Sequence, residues 1–373
     1  MKFLYIFLLF SNFTFSQTTS IQYTYDYLDG KTKPIYSFWK KYVELRANNN
    51  LSYKNMWENG NEDLLISLSG YSPNFFEMYT NNKLLYIKPI IDNKYEIASM
   101  FYWIQDEVNV NLISIVKYIV VYKNGEYKLE NFLENSTQNW NKKNVGLINY
   151  FYPKDYKFSI KEAKKANKFI YRLNQLFDLN NEKIDYYIAE NCDKQTEIIG
   201  LDYIATKGLM KECGYFDKNK NILLSTYYAG EFYKHELIHL INKKYINSHY
   251  LFLTGLSVYN NSPKASLGKS TKEVFKEFSK FIYEKPDLKL SFTQDFPKIN
   301  NIGTEYIISA ILVDEVLERG GLELLKEAMN TINSDDQLND FVENVLNIKD
   351  QNEFIRKTSL KFEKDNFKFK IDL

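Results

Sequence analysis

The residues best suited to chemistry lie in one pentapeptide, HELIH, at residues 235–239. The chain has 373 residues and three histidines, of which two bracket this pentapeptide and the third, His249, follows ten residues later. Side chains four residues apart on a helix lie on the same face, one turn apart. His235 and His239 could therefore hold one metal ion at the distance of about 2.0–2.1 Å that zinc prefers.

Glu236 lies between these histidines in the sequence and flanks the same helix face. A carboxylate there can take a proton from a water molecule that the metal activates and pass it to a leaving amine. Because histidine is so scarce in this chain, coincidence is a poor explanation of the motif. The alternative is a partly exposed helix that carries two histidines and a glutamate without any metal.

Regular elements must position this motif. Residues 230–246 contain no internal proline or glycine and predict a helix, with Glu231 favourable near its amino terminus. The segment before it, NILLSTYY at residues 221–228, predicts a strand. Short strands and helices come before residue 221 and mainly helices follow residue 246, so the fold class is predicted to be α+β.

The first residues predict export. MKFLYIFLLF carries one lysine and then an apolar run too short to span a membrane. Residues 1–16 are therefore predicted to be a signal peptide, cleaved near Ser16–Gln17, which leaves a secreted or periplasmic protein. No later segment is long and apolar enough to predict a membrane span.

Residues 17–138 are predicted to form a small α+β domain with one helix and an antiparallel meander. Lys123-Asn124-Gly125-Glu126 lies between two strand-like arms and is a strong hairpin signal. This order of elements resembles the layout of NTF2-like modules. Residues 134–144 are polar and predict a linker, and residues 145–373 are predicted to form the domain that carries the motif.

Composition excludes some partners. The 48 basic and 47 acidic side chains nearly cancel, which gives no electrostatic reason to predict a nucleic-acid partner or an anionic membrane surface. The two cysteines, Cys192 and Cys213, could form one disulfide in an exported protein. Two unpaired buried thiols are the alternative.

From HELIH and the order of elements around it, residues 145–350 resemble the gluzincin metallopeptidases, the thermolysin-like clan. This resemblance implies one zinc ion and a peptide or protein substrate. It also implies that the strand before the motif is an edge strand that pairs with the substrate backbone, here through Leu223, Leu224 and Ser225. The clan's E-G-[LI]-[AS]-x-Y segment, whose glutamate is the third zinc ligand, matches residues 254–259, TGLSVY.

The ligand position of that segment is Thr254, and a threonine hydroxyl is a poor zinc ligand. His249 is within reach as a third ligand, although it could equally be a loop histidine with no such role. Glu273, Glu277 and Glu305 are more distant candidates. A degenerate site, with weak or no metal binding, is the remaining possibility, because catalytic zinc sites normally have three protein ligands.

The sequence therefore predicts an exported zinc peptidase with Glu236 as general base. The clan also places a tyrosine or histidine donor beside the developing oxyanion, and Tyr306 is the candidate by position. The alternative is a degenerate peptidase that binds peptides or a partner without cutting. No serine-nucleophile elbow, P-loop or dinucleotide-binding fingerprint is present in the sequence.

Overall fold

The computed structural model describes residues 28–58, 63–69, 76, 81–105, 109–204, 207–208, 213–259, 271–293, 296–299 and 302–364. The predicted signal peptide and its cleavage site lie outside these described residues. No helix in the described parts of the chain is both long enough and apolar enough to cross a membrane.

The amino-terminal part begins with helices and continues as the predicted antiparallel meander. The first helix has a proline in its first turn and buries Ile35, Trp39 and Tyr42, which recur at helical spacing. Asn124 and Gly125 both have positive φ, as a two-residue hairpin turn requires, so the predicted hairpin is confirmed. The elements are α1 (Lys33–Ala47), α2 (Leu64–Ser69), β1 (Asn81–Ile91), β2 (Lys94–Ile104), β3 (Val110–Lys123), β4 (Glu126–Glu130) and α3 (Phe132–Ser136).

The rest of the chain is mixed at first and then mostly helical, as predicted. Ser159 caps its first long helix by accepting a hydrogen bond from the backbone N–H of Glu162. The elements are β5 (Asn141–Val145), β6 (Ile148–Tyr152), α4 (Ile160–Phe177), β7 (Ile184–Ala189), α5 (Cys192–Ile198), β8 (Leu201–Ile204), β9 (Tyr215–Asp217), β10 (Ile222–Thr226), α6 (Lys234–Ile238), α7 (Tyr250–Tyr259), α8 (Thr271–Glu284), β11 (Lys298–Ile299), β12 (Ile302–Gly303), α9 (Glu305–Thr331), α10 (Asp335–Asp340) and α11 (Gln351–Lys364).

Two larger sheets organise the molecule. The first is antiparallel in the order β1-β2-β3-β4, and β8 also pairs with β3. The second has the order β5-β6-β7-β10-β9, with parallel pairs in the middle and antiparallel pairs at both ends. Mixed α and β structure with antiparallel pairing agrees with the predicted α+β class.

The predicted linker at residues 134–144 is wrong. Its residues form the end of α3 and most of β5, whose polar side chains suit an exposed outer strand. The division at residues 138–145 also fails to separate the two sheets, because β8 comes from the second part of the chain and completes the first sheet.

The central strands β7 and β10 of the second sheet are buried on both faces, and their side chains alternate between two hydrophobic cores. Leu223 of β10 packs into the larger core with α4, α6, α7 and α9, whereas Ile222 and Leu224 pack into the core beneath the first sheet. β7 alternates in the same way. The motif segment follows directly from this buried strand and is held against it.

Cys192 and Cys213 are joined in a disulfide, with Cα atoms 5.7 Å apart, as the sequence suggested. Cys192 is the first residue of α5 and Cys213 lies two residues before β9. The bond therefore ties the chain just before β9 to the start of α5.

Candidate zinc-peptidase site

The chain enters the motif through a turn held by buried hydroxyls. Gly230 has a φ of 63°, and its carbonyl oxygen accepts hydrogen bonds from Tyr186 Oη at 2.7 Å and Ser225 Oγ at 3.2 Å. Tyr150 Oη donates to the carbonyl of Glu231 at 2.9 Å. These carbonyls point into the core, so the helix begins at Lys234 and not at residue 230 as predicted.

The motif helix is also shorter than predicted at its other end. α6 ends at Ile238, and the chain continues as a 3₁₀ helix over His239–Lys243. The intervening Leu237 and Ile238 are buried in the larger core. Packing of this apolar face fixes the opposite face, which carries the histidines.

The structure brings the two motif histidines together. The ring centroids of His235 and His239 are 5.2 Å apart, and the ring planes are nearly perpendicular. His235 is buried and His239 half-buried. The Nδ1 atom of His235 is buried and has no hydrogen-bond partner among the described residues. Two rings at this spacing can direct one nitrogen each at a common ion.

Both imidazoles are held neutral, the form that binds metals. Burial, with a smaller contribution from His239, lowers the pKa of His235 to about 3. Burial also lowers the pKa of His239 to about 4, although a hydrogen bond with Asn242 acts in the opposite direction. At neutral pH a metal ion would therefore not compete with protons for these rings.

Glu236 is 7% exposed, and burial raises the pKa of its carboxyl to about 8. The negative charge of Glu236 helps to raise the pKa of Tyr215 and of Tyr306, after larger effects of burial and of each tyrosine's own acidic neighbour. Both hydroxyls are therefore within electrostatic range of Glu236. Tyr306, the predicted oxyanion donor, lies in the first turn of α9.

A cavity of about 630 Å³ opens over this group. Glu236, His239 and Asn242 line it together with residues 214–219 of the β9 region. Ile66 and Ser67 of α2 also line it. The amino-terminal part of the chain thus lines part of the cavity, a contribution that the sequence did not predict.

The predicted edge strand is not an edge at Leu223 and Leu224. Leu223 is paired with Tyr186 of β7 on one side and with Phe216 of β9 on the other. Ser225 is fully buried, and its hydroxyl holds the turn before the motif. β9 is the outer strand beside the cavity, and its three residues were too short a signal to identify from the sequence.

His249 does not join the other two histidines. Its Nε2 lies 2.9 Å from Asp335 Oδ1, and its Nδ1 accepts a hydrogen bond from the backbone N–H of Leu251. Both ring nitrogens are occupied at the start of α7, so the prediction of His249 as third ligand is wrong. Among the described residues, no three His, Cys, Asp or Glu side chains come together as a metal-binding group.

Among the described residues, the other carboxylate candidates do not join the motif histidines in a metal-binding group. Glu273 is exposed on α8, where it lines a surface cavity together with Glu277. Glu305 lines a third cavity with Tyr250 and Lys298. Thr254 is half-buried on α7. The described residues thus bring together two candidate zinc ligands, His235 and His239, one fewer than a catalytic site normally has.

The buried carboxyl of Glu236 predicts a pH-dependent stability difference in metal-free protein. Because its pKa is raised from 4.5 to about 8, the stability linked to its bound proton is complete below about pH 4.5 and is lost as the pH rises towards 8. Glu236→Gln should therefore gain stability over wild type across this range, by up to about 1.4 kcal/mol per pH unit.

Urea unfolding in the presence of a chelator at pH 5, 6, 7 and 8 measures this difference. Glu126→Gln is the matched control, because Glu126 is exposed at the β3–β4 hairpin. A difference that stays constant with pH, or that favours wild type as the pH rises, would contradict the burial of Glu236.

Gly214 was not predicted from the sequence, and it is required by a close approach. A Cβ atom at this position would lie 2.1 Å from Cε1 of Tyr233 and 2.9 Å from Cγ of Glu236. Gly214→Ala should therefore displace Glu236 and, in the peptidase that the HELIH motif predicts, lower hydrolysis by about 10²-fold, as expected for a shift of about 1 Å at a reacting group.

Peptide hydrolysis and thermal unfolding of Gly214→Ala test this expectation. Gly30→Ala is the control, since a Cβ atom there meets no atom within 4 Å. If Gly214→Ala folds and hydrolyses peptide at the wild-type rate, the expected loss from displacing Glu236 is contradicted.

Comparisons with known proteins add little. No family model and no curated protein matches the chain. Among solved structures, the M1 zinc metallopeptidase from Deinococcus radiodurans matches with 10% identity and a TM-score of 0.32. The match covers 76% of this chain and 63% of that structure, so the chain spans less than two thirds of its length. We draw no conclusion from a similarity of this size.

Proposed function

We propose that this protein is a zinc-dependent peptidase whose metal ligands include His235 and His239. The observation that carries the proposal is the pair of neutral imidazoles 5.2 Å apart beside the buried carboxyl of Glu236. A protein seldom buries a carboxyl group without a compensating charge, and such groups cluster at functional sites. A bound cation would supply that charge.

Zinc held by these rings would supply a Lewis acid that activates water and polarises the scissile carbonyl. Glu236 is the group that takes the proton of the attacking water and donates it to the leaving amine. Its burial suits the second step, because a raised pKa lets the carboxyl retain a proton near neutral pH. A cation held by the neighbouring histidines would favour the ionised carboxylate that the first step needs. Tyr306 is proposed to donate its hydroxyl hydrogen to the developing oxyanion.

The substrate is proposed to bind as an extended peptide along β9. β9 is the outer strand of its sheet and borders the cavity that contains Glu236 and His239. Addition of a strand to a sheet edge holds a peptide through its backbone. Export is also proposed, on the apolar amino-terminal segment and the disulfide.

The second candidate is a peptide-binding protein on the same scaffold that does not cut. It is favoured by the lack of a third protein ligand among the described residues. The two functions share the cavity and differ in whether bound peptide is hydrolysed.

The test is a pair of measurements on purified full-length protein. Zinc content after dialysis against zinc, and hydrolysis of a mixed peptide library followed by mass spectrometry, are measured before and after chelation. The peptidase proposal expects about one zinc per chain and hydrolysis that chelation abolishes. Stoichiometric zinc without hydrolysis would favour the binding function, and hydrolysis that resists chelation would overturn the zinc proposal.

A further inference from the structure

The side chain of Asn242 contacts the imidazole of His239, one of the two proposed zinc ligands. Asn242 is three residues after His239, in the 3₁₀ helix, and its amide Nδ2 is 3.2 Å from His239 Nδ1. The amide oxygen Oδ1 is buried and has no partner among the described residues. This contact determines which nitrogen of His239 can bind a metal.

The role of Asn242 rests on the proposed function, in which His239 binds zinc. Because Nδ1 of His239 faces the amide of Asn242, the nitrogen available to a metal is Nε2. A neutral imidazole carries one hydrogen, and a metal-binding Nε2 must have a free lone pair. The hydrogen must then be on Nδ1, and its acceptor must be the neighbouring amide.

An amide can accept that hydrogen only through its oxygen. The two ends of an asparagine amide have nearly the same shape, so the group fits the same space when turned over. In the turned orientation Oδ1 accepts from Nδ1–H of His239. The buried Oδ1 has no partner among the described residues, so turning the amide over breaks no hydrogen bond at that end. The free lone pair that a metal needs on Nε2 is therefore what decides between the two orientations of the amide.

We infer that Asn242 is a positioning residue for the zinc site: its side-chain oxygen accepts a hydrogen bond from Nδ1–H of His239 and so directs the lone pair of Nε2 into the cavity. His235 has no equivalent support, because its Nδ1 lacks a partner among the described residues. Asn242 is therefore the residue that fixes a ligand tautomer in this site, in the manner of the outer partners of metal-binding histidines.

Two substitutions separate this role from simple packing. Asn242→Asp keeps an acceptor and removes the donor, whereas Asn242→Leu removes both at similar size. Isothermal titration with zinc should give an affinity for Asn242→Asp within about 3-fold of wild type or tighter, and a loss of about 10- to 100-fold for Asn242→Leu. Equal losses in both variants would show that the amide nitrogen faces His239 and would overturn the inference.

The tautomer can also be read directly in wild type, without zinc and without any substitution. In a chain with three histidines, ¹⁵N-labelled histidine gives few signals, and single His→Ala variants assign them. In chelated protein at pH 7.5, His239 should carry its hydrogen on Nδ1. His249 should show the opposite tautomer, because its Nδ1 accepts from the backbone of Leu251.

A hydrogen on Nε2 of His239 would overturn the inference. The tautomer is measured without zinc, so the inference about Asn242 and the zinc-peptidase proposal can fail separately. If His239 has the expected tautomer but wild type binds no zinc, the zinc peptidase is lost while the role of Asn242 as acceptor stands.

Discussion

Glu236→Gln is expected to lower kcat for peptide hydrolysis by about 10²- to 10⁴-fold, the usual contribution of a general base. Glutamine has nearly the shape of glutamate but cannot accept the proton of the attacking water. His235 and His239 are untouched, so the affinity for zinc should stay within about 5-fold of wild type, a difference below about 1 kcal/mol. Peptide cleavage under saturating substrate, with zinc content measured in the same samples, checks both expectations.

Glu126→Gln is the control for this experiment, because it removes one carboxylate from an exposed hairpin far along the chain from the motif. It should cut at the wild-type rate. If Glu236→Gln also cuts at that rate with zinc bound, Glu236 is not the base and the buried carboxyl has another role.

His235→Ala and His239→Ala are each expected to weaken zinc binding by at least about 10²-fold, because each removes one of the two proposed protein ligands. Competition against a chromophoric zinc chelator measures the Kd of each variant. Hydrolysis should fall with zinc occupancy and should recover in part at high zinc concentration.

His249→Ala is the matched control, since its ring is bound to Asp335 and to the backbone of Leu251. Its removal should lower thermal stability but leave the zinc Kd within about 5-fold of wild type, less than about 1 kcal/mol. A loss of zinc affinity as large as that of His239→Ala would restore the three-histidine site that the structure contradicts.

Local signals in the sequence predicted many elements correctly. The Asn124-Gly125 turn, the Ser159 cap and the strand β10 each depend on neighbouring residues. The closeness of His235 and His239 is also a local feature, because a single turn of helix is enough to bring their rings together.

The errors involve contacts between distant parts of the chain. The motif helix begins late because Tyr150 and Tyr186, far earlier in the sequence, bind the carbonyls before it. β10 is a central strand because the three-residue β9 covers its outer side. β8 leaves its own region to pair with β3. The periodic pattern of apolar residues in the sequence predicts single helices and strands, and it does not predict any of these contacts between distant segments.

The same limit applies to the site. Gly214 and Ile66 come from other segments and contact the site through folding alone. The contact of Asn242 with His239 could have been predicted, because residues three apart on a helix are neighbours. The role of Asn242 could not, because it depends on the orientation of the His239 ring. The third zinc ligand could not be predicted because Thr254 stands at the position that the resemblance assigns to it.

The most direct test of the central claim is zinc X-ray absorption of the zinc-loaded protein, which counts imidazole ligands. The account predicts two imidazole nitrogens at about 2.0–2.1 Å in wild type and one in His239→Ala. A wild-type spectrum without imidazole ligands, or one that His239→Ala leaves unchanged, would contradict a zinc site built on His235 and His239.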